Sequence, residues 1–420
     1  LASRLIFALA IAMCLSPNSS EAQRPGTIND ESKVPMYELP DVLKCLDGTV
    51  TDSYKAWETK RRPEVFRLFS DHVYGNLPDG KVETTFVVGD QWSVLDGQAI
   101  RKEVELTFAK DGKSISATLL LTIPVSKDPV PCFIGMNFSG NHTTTDDTKV
   151  SVPTSWVRDK KRKRGNNQAS EEDRGQSASR WPCKEIIAEG FGVGTIYCGD
   201  IDPDFDDGFT NGIHGLFDKP TKSQWGTIGG WAWGLSRVLD YLETDDSVDS
   251  KRVAVIGHSR LGKTALWAGA SDERFWITIS NDSGCGGAAL HRRVFGETVK
   301  VINTNFPHWF CDQFVEYNGK ESEIPVDQHM LISLIAPRAV YVASASEDLW
   351  ADPKGEFLSL KNSSLVFGLY GFNGIDSELP SPDRPLKVQQ CGFHLRSGKH
   401  DITLFDWQSY LAFAKGLDQQ

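Results

Sequence analysis

The chain has 420 residues, 40% of them hydrophobic and 24% charged, the balance of a globular protein with room for one large α/β domain or two smaller ones. A formal net charge of −11 argues against a nucleic-acid partner. Among eight cysteines and nine histidines there is no C-x-x-C pair and no Cys/His cluster at zinc spacing, so no metal and no cofactor is expected.

Arg4 precedes an apolar run over residues 5–15, and Ser19-Ser20-Glu21-Ala22 offers small residues for cleavage. This pattern reads as a signal peptide over 1–22. The run is too short for a membrane span, so a secreted or periplasmic location is expected. Removing the leader takes Cys14 with it and leaves seven cysteines, so at least one is unpaired within a monomer. Residues 23–60 are polar with scattered apolar positions and suit an N-terminal extension packed on a catalytic domain over 61–420. Twelve tryptophans suit either carbohydrate contacts or simple core packing.

Two alternating stretches, 104–108 and 117–123, flank Asp111-Gly112 and predict a β-hairpin. Apolar segments at 131–138, 192–197, 253–256, 275–280 and 339–345 then end in polar loops. Apolar runs of this kind fit parallel strands buried on both faces. Helical stretches at 225–242 and 261–270 lie between them. The alternation predicts a doubly wound, mostly parallel sheet in a three-layer sandwich. Residues 158–180 interrupt it: 158–164 is almost all basic, 165–179 is polar, and the segment reads as an inserted surface loop. The bland expectation is a solvated, mobile segment; the sharper one is an electropositive arm that gathers acidic polysaccharide.

The run Val253-Ala254-Val255-Ile256-Gly257-His258-Ser259-Arg260-Leu261-Gly262-Lys263 carries the chemistry. Four β-prone residues lead through Gly-His-Ser into helix formers, the pattern of a nucleophile elbow in the α/β-hydrolase fold. It departs from G-x-S-x-G, because Leu261 stands at the second Gly position and Gly262 follows one place later. A serine that merely caps a helix is the alternative. The downstream Ser397-Gly398-Lys399-His400-Asp401 favours the elbow. His400 follows a last strand over 392–396 and precedes a helix over 404–415, where this fold places its catalytic base. His394 and His258 are expected to be structural. Two carboxylates compete to hold His400: Asp282 and Asp348, each following a strand at the same sheet edge, with Asp348 slightly preferred. Arg260 can add a charged donor to the oxyanion hole, and Lys263 lies one helical turn from Ser259.

These segments resemble the glucuronoyl esterases of carbohydrate esterase family 15. The match rests on Gly257-His258-Ser259-Arg260-Leu261-Gly262-Lys263, Asp282-Ser283-Gly284-Cys285-Gly286-Gly287, Glu347-Asp348-Leu349-Trp350-Ala351-Asp352-Pro353, Gly398-Lys399-His400-Asp401 and Asn137-Phe138-Ser139-Gly140-Asn141-His142. The resemblance implies cleavage of the ester between glucuronate on glucuronoxylan and a lignin alcohol, through an acyl-enzyme on Ser259. It implies that Arg260 stabilises the oxyanion and that Lys263, Glu297 and Trp350 contact the sugar. Fungal members carry a Glu where this chain has Asp282, and several bacterial members carry an acid at Asp348; both positions are acidic here. An acetyl xylan esterase is the alternative enzyme, and a catalytically dead carbohydrate-binding protein the alternative of another class.

Overall fold

The computed structural model describes residues 27–159, 165–218 and 224–417. The expected signal peptide and most of the basic run lie outside them.

The strands are β1 (Glu83–Val94), β2 (Ala99–Lys110), β3 (Lys113–Pro124), β4 (Val130–Asn137), β5 (Gly192–Tyr197), β6 (Val248–His258), β7 (Ile277–Asn281), β8 (Ala339–Ala345), β9 (Leu386–Val388) and β10 (Cys391–Arg396). They form one sheet in the order β1-β2-β3-β5-β4-β6-β7-β8-β10-β9. From β5 through β10 every neighbouring pair is parallel, while β1–β3 and β9 add antiparallel flanks. The expected hairpin is β2–β3. Asp111 and Gly112 form its turn with φ of 51° and 81°, the positive pair that a two-residue I′ turn demands.

The apolar runs are continuous because alternate residues feed two cores. Val253 and Val255 of β6 join the larger cluster, with Leu261, Ala265 and Trp267 of the following helix. Ala254 and Ile256 face the other side, with Phe133, Ile277, Tyr341 and Trp407. A period of two with both faces covered leaves no polar position in the strand. The helices Thr227–Leu242, Arg260–Ser271 and Pro353–Leu369 bring residues to the first cluster, and Leu404–Leu417 to the second. Three layers result, as expected for the α/β-hydrolase architecture.

Four parts of the chain differ from the sequence-based expectation. A helical run from Tyr54–Ala56 through Ser70–Tyr74 crosses the boundary expected after residue 60. Strand β1 and the helix Pro353–Leu369 were not anticipated. Residues 165–180, expected as a solvated loop, are instead tied down. Gly175 and Ser177 donate their N–H groups to the carbonyls of His142 and Thr143 at 3.0 and 2.8 Å, and Arg174 donates to the carbonyls of Asp147 and Val150. The segment then reaches the far side of the site, where Arg180 pairs with Asp401 at 2.7 Å and its carbonyl accepts from the Trp407 indole at 2.9 Å. Backbone amides and a buried guanidinium that must find partners explain why a polar composition did not mean a free segment.

Candidate active site

Gly257 ends the apolar part of β6 because nothing larger fits. A Cβ there would stand 1.8 Å from the carbonyl oxygen of Leu261, and both atoms belong to backbone that the strand–helix corner fixes. Gly257→Ala should therefore lower stability by ~3 kcal/mol or more, read as a shift of the urea midpoint; a variant as stable as the parent would contradict this packing. Gly262, one place beyond the usual glycine, is explained in the same way. Its added Cβ would lie 3.0 Å from Ser283 Cβ and 3.1 Å from the Gly257 carbonyl oxygen.

Between these glycines Ser259 takes φ 59° and ψ −132°, a strained conformation for a residue with a Cβ, of the kind concentrated at functional sites. Its amide donates to the Asn281 carbonyl at 2.9 Å, and its carbonyl accepts from Gly262 N–H at 2.8 Å. Its hydroxyl does not cap the helix. The capping alternative is therefore set aside, and the hydroxyl stands at the edge formed by the C-terminal ends of the parallel strands.

His400 approaches from the loop after β10. Its ring centroid lies 4.5 Å from that of His258, the residue before Ser259. Asp348, in the loop after β8, accepts from His400 Nδ1 at 2.6 Å. That contact fixes Nδ1 as the bonded nitrogen and leaves Nε2 for other chemistry. Asp348 is buried while the His400 side chain is 42% exposed, so the base can meet a substrate.

Asp282 lies close by but differs in kind. One ligand-capable atom each of Asp282, Asp348 and His400 falls within a 4.8 Å cluster. The Asp282 carboxylate accepts from the amide of Asp401 at 3.3 Å, and one of its oxygens is buried with no partner. Burial, then the neighbouring charges of Asp348 and Glu356, push its pKa well above the ordinary carboxylate range. Burial and its acidic neighbours therefore disfavour its charged form.

Glu356 sits under both acids, on the helix Pro353–Leu369. It accepts from the Ser344 hydroxyl at 2.5 Å and from the amides of Ser283 and Gly284 at 2.8 and 2.9 Å. Complete burial raises its pKa from 4.5 to about 7. From pH 4.5 to 7 the folded chain keeps a proton that the unfolded chain has lost, so this group makes stability fall as pH rises through that window. Glu356→Gln should flatten the dependence, gaining ~3 kcal/mol relative to the parent between pH 5 and pH 8. Denaturant midpoints at the two pH values check it; parallel pH profiles would refute it.

The residues expected at the sugar come together. Lys263, which could have been a surface lysine, is 4% exposed, and its Nζ donates to the Ser283 carbonyl. It faces Glu297 across 3.9 Å. The amide of Glu297 donates to the Trp350 carbonyl at 2.9 Å. The approach needs glycine at 296, where φ is +64° and a Cβ would stand 2.4 Å from that same carbonyl oxygen. Arg260 lies beside these groups, its Cζ 4.6 Å from the Phe138 ring centroid and 5.6 Å from that of Trp309. His394 and His258 are structural, as expected. His394 Nε2 contacts Asp406 at 2.8 Å, and buried His258 contacts Asn281 at 2.6 Å.

Asp204, His308 and Trp309 were not singled out from the sequence. Asp204 Oδ1 accepts from the Trp309 indole at 2.8 Å and contacts His308 Nε2 at 3.0 Å, and its Oδ2 lies 2.9 Å from Arg260 Nε. The available signal was an acid just beyond the C-terminal end of β5. None of the seven cysteines among the described residues is in a disulfide, and six of them are buried. No helix among the described residues is long and apolar enough to cross a membrane.

Comparisons with known proteins identify the family. A family model described as glucuronyl esterase, fungi, matches residues 211–371. The chain is 49% identical over 419 residues to a carbohydrate esterase designated MZ0003 from an unknown prokaryotic organism, covering 98% of this chain and 96% of the other. It is similar to a solved structure described as a promiscuous CE15 esterase from a marine bacterial metagenome, with TM-score 0.88 and 51% identity over 93% of this chain and 99% of that one. A glucuronoyl esterase from Solibacter usitatus aligns with TM-score 0.86 and 43% identity, over 92% of this chain and 100% of the other.

Proposed function

The chain belongs to the glucuronoyl esterases of carbohydrate esterase family 15, and from that premise we propose that this carboxylic ester hydrolase cleaves the ester joining (4-O-methyl-)glucuronate of glucuronoxylan to lignin alcohols, with Ser259 as nucleophile. His400 Nε2 takes the proton of Ser259 Oγ as the oxygen attacks the C6 carbonyl of the uronate. Asp348 holds the tautomer and stabilises the imidazolium that forms. Negative charge grows on the carbonyl oxygen, where the Arg260 guanidinium and the amides of Arg260 and Leu261, the first two of the helix Arg260–Ser271, meet it. The Gly262 and Lys263 amides bond the Ser259 carbonyl; the two before them have no intrahelical acceptor, so they are available at no cost of reorganisation. His400 then protonates the departing alcohol. A water deprotonated by the same ring hydrolyses the acyl-enzyme, and Ser259 recovers its proton.

One observation carries the choice of substrate. Lys263 and Glu297 are buried side by side, yet 3.9 Å apart, too far for a direct hydrogen bond. A lysine ammonium has three donors, and one is spent on the Ser283 carbonyl. Sugar hydroxyls would take the remaining Lys263 donors, with Trp350 beside the ring; an acetyl group would offer them nothing. The acetyl xylan esterase alternative is therefore not favoured. A polymeric wall substrate also fits action outside the cytoplasm, which the expected leader would provide.

Hydrolysis of benzyl and methyl glucuronate esters, their galacturonate analogues and an acetylated xylose tests this reading. We expect kcat/KM on acetylated xylose at least ~100-fold below that on benzyl glucuronate, because the buried Lys263 would gain no sugar hydroxyl. Preference for the acetyl ester would overturn the assignment. The benzyl-to-methyl ratio reports on the leaving alcohol.

A further inference from the structure

We propose that Asp204 is the positioning residue for the oxyanion cation: it anchors Arg260 at Nε so that the Nη edge of the guanidinium is presented to the carbonyl oxygen of the ester at Ser259. This rests on the reading of Arg260 as an oxyanion donor given above, and extends it to a residue from a different part of the chain.

An arginine beside a nucleophile has four rotatable side-chain bonds. Catalysis by preorganised charge needs it held before the reaction starts. Arg260 is the first residue of its helix, so the backbone fixes only where the side chain begins. Three contacts fix where it ends. Two are the rings of Phe138 and Trp309, which lie against the guanidinium. The third is the Asp204 carboxylate, 2.9 Å from Nε. The Nε–H is off line for a hydrogen bond to that oxygen, so the attraction is Coulombic.

Asp204 is itself built to hold still. It follows Asp202-Pro203 beyond β5 and is 6% exposed. Its Oδ1 is shared by the Trp309 indole and His308 Nε2, which leaves Oδ2 for Arg260. Arg158 donates to the Asp204 main-chain carbonyl, and its guanidinium lies 3.9 Å from Oδ2. Burial alone would favour the protonated acid. The Arg260 charge and the hydrogen bonds from His308 and Trp309 outweigh it and hold the carboxyl well below the ordinary range. The acid is therefore charged wherever the esterase works.

The arrangement has a geometric logic. Asp204 Oδ2 lies 2.9 Å from Nε, and the Phe138 and Trp309 ring centroids lie 4.6 and 5.6 Å from Cζ. The Nη edge, which carries four of the five N–H groups of an arginine, is kept for a ligand. Trp309 serves twice, as a hydrogen-bond donor to Asp204 and as a ring against Arg260. It also lies 5.9 Å from Lys263 Nζ, which links the oxyanion cation to the residue expected at the sugar.

The test is a double-mutant cycle of Asp204→Asn and Arg260→Ala on benzyl glucuronate, with kcat and KM measured separately. Asparagine keeps the shape and can still accept from Trp309 and His308. Asp204→Asn alone should lower kcat about a hundredfold, the scale of a misplaced catalytic group, and change KM less than about threefold. In the Arg260→Ala background it should change kcat less than about twofold. Equal losses in both backgrounds would mean a structural role and overturn the proposal. So would unchanged kcat for Asp204→Asn while Arg260→Ala is crippled. An active Arg260→Ala enzyme would instead remove the oxyanion reading beneath it, so the two failures are distinguishable. If Asp204→Asn does not fold, Trp309→Phe carries the same cycle. It removes only the donor to Oδ1, keeps a ring at the guanidinium, and should show the same background dependence at about tenfold.

Discussion

Ser259→Ala is expected to lower kcat on benzyl glucuronate by at least ~10⁵-fold, the loss seen when the nucleophile of a serine hydrolase is removed. The hydroxyl is the only part of the residue changed, because alanine keeps the Cβ that strains φ at 59°. It makes no cap to the helix, so its loss should not disturb the corner, and the melting temperature should stay within about 2 °C of the parent. The sugar contacts at Lys263, Glu297 and Trp350 remain, so glucuronate binding measured calorimetrically should persist. Residual turnover of ~10³–10⁴ over water would come from Arg260, the helix amides and binding alone. Turnover within tenfold of the parent would end the serine mechanism.

Asp348→Asn is expected to cost on the order of 10⁴-fold in kcat, and Asp282→Asn less than about tenfold. The two changes are equally small in volume and differ in what they remove. Asp348 takes the Nδ1 contact at 2.6 Å, and an amide there can offer its N–H₂ to the ring and turn it to the wrong tautomer. Asp282 makes no such contact with the ring, and burial and its acidic neighbours disfavour its charged form, so an amide there removes nothing that His400 leans on. It can still accept from the Asp401 amide as Asp282 Oδ2 does. Steady-state kinetics of both variants at pH 7 decide the matter. A crippled Asp282→Asn beside a mild Asp348→Asn would reverse the assignment.

Much of the architecture was legible in the sequence, for a physical reason. Strands buried on both faces are apolar at most positions, so 131–138 and 339–345 announced β4 and β8. Strand β1 lies outside that logic: it is an edge strand with no fully buried residue, and its sequence carries no continuous apolar run. The helix Pro353–Leu369 was missed because buried residues such as Phe357, Ser363 and Phe367 are spread around it, Glu356 among them, so no single apolar stripe marks its period. The elbow was legible through Gly257 and Ser259, since the close approach of Leu261 dictates the first and the corner exposes the second. The choice between Asp282 and Asp348 was not. Both follow parallel strands at one edge, and only the loop path decides which carboxylate meets Nδ1. Asp204 was hidden for a related reason: its partner, Arg260, is 56 residues away in the chain, and nothing local marks an acid that acts through such a neighbour.

The thiols have a practical corollary. Burial raises the pKa of Cys132, Cys183, Cys285, Cys311 and Cys391. Such sulfurs are slow nucleophiles and poor targets for oxidants. Among the described residues the scaffold that shapes the strand–helix corner is therefore stitched by packing and hydrogen bonds, with no disulfide. A reducing medium is expected to leave the architecture of that corner untouched.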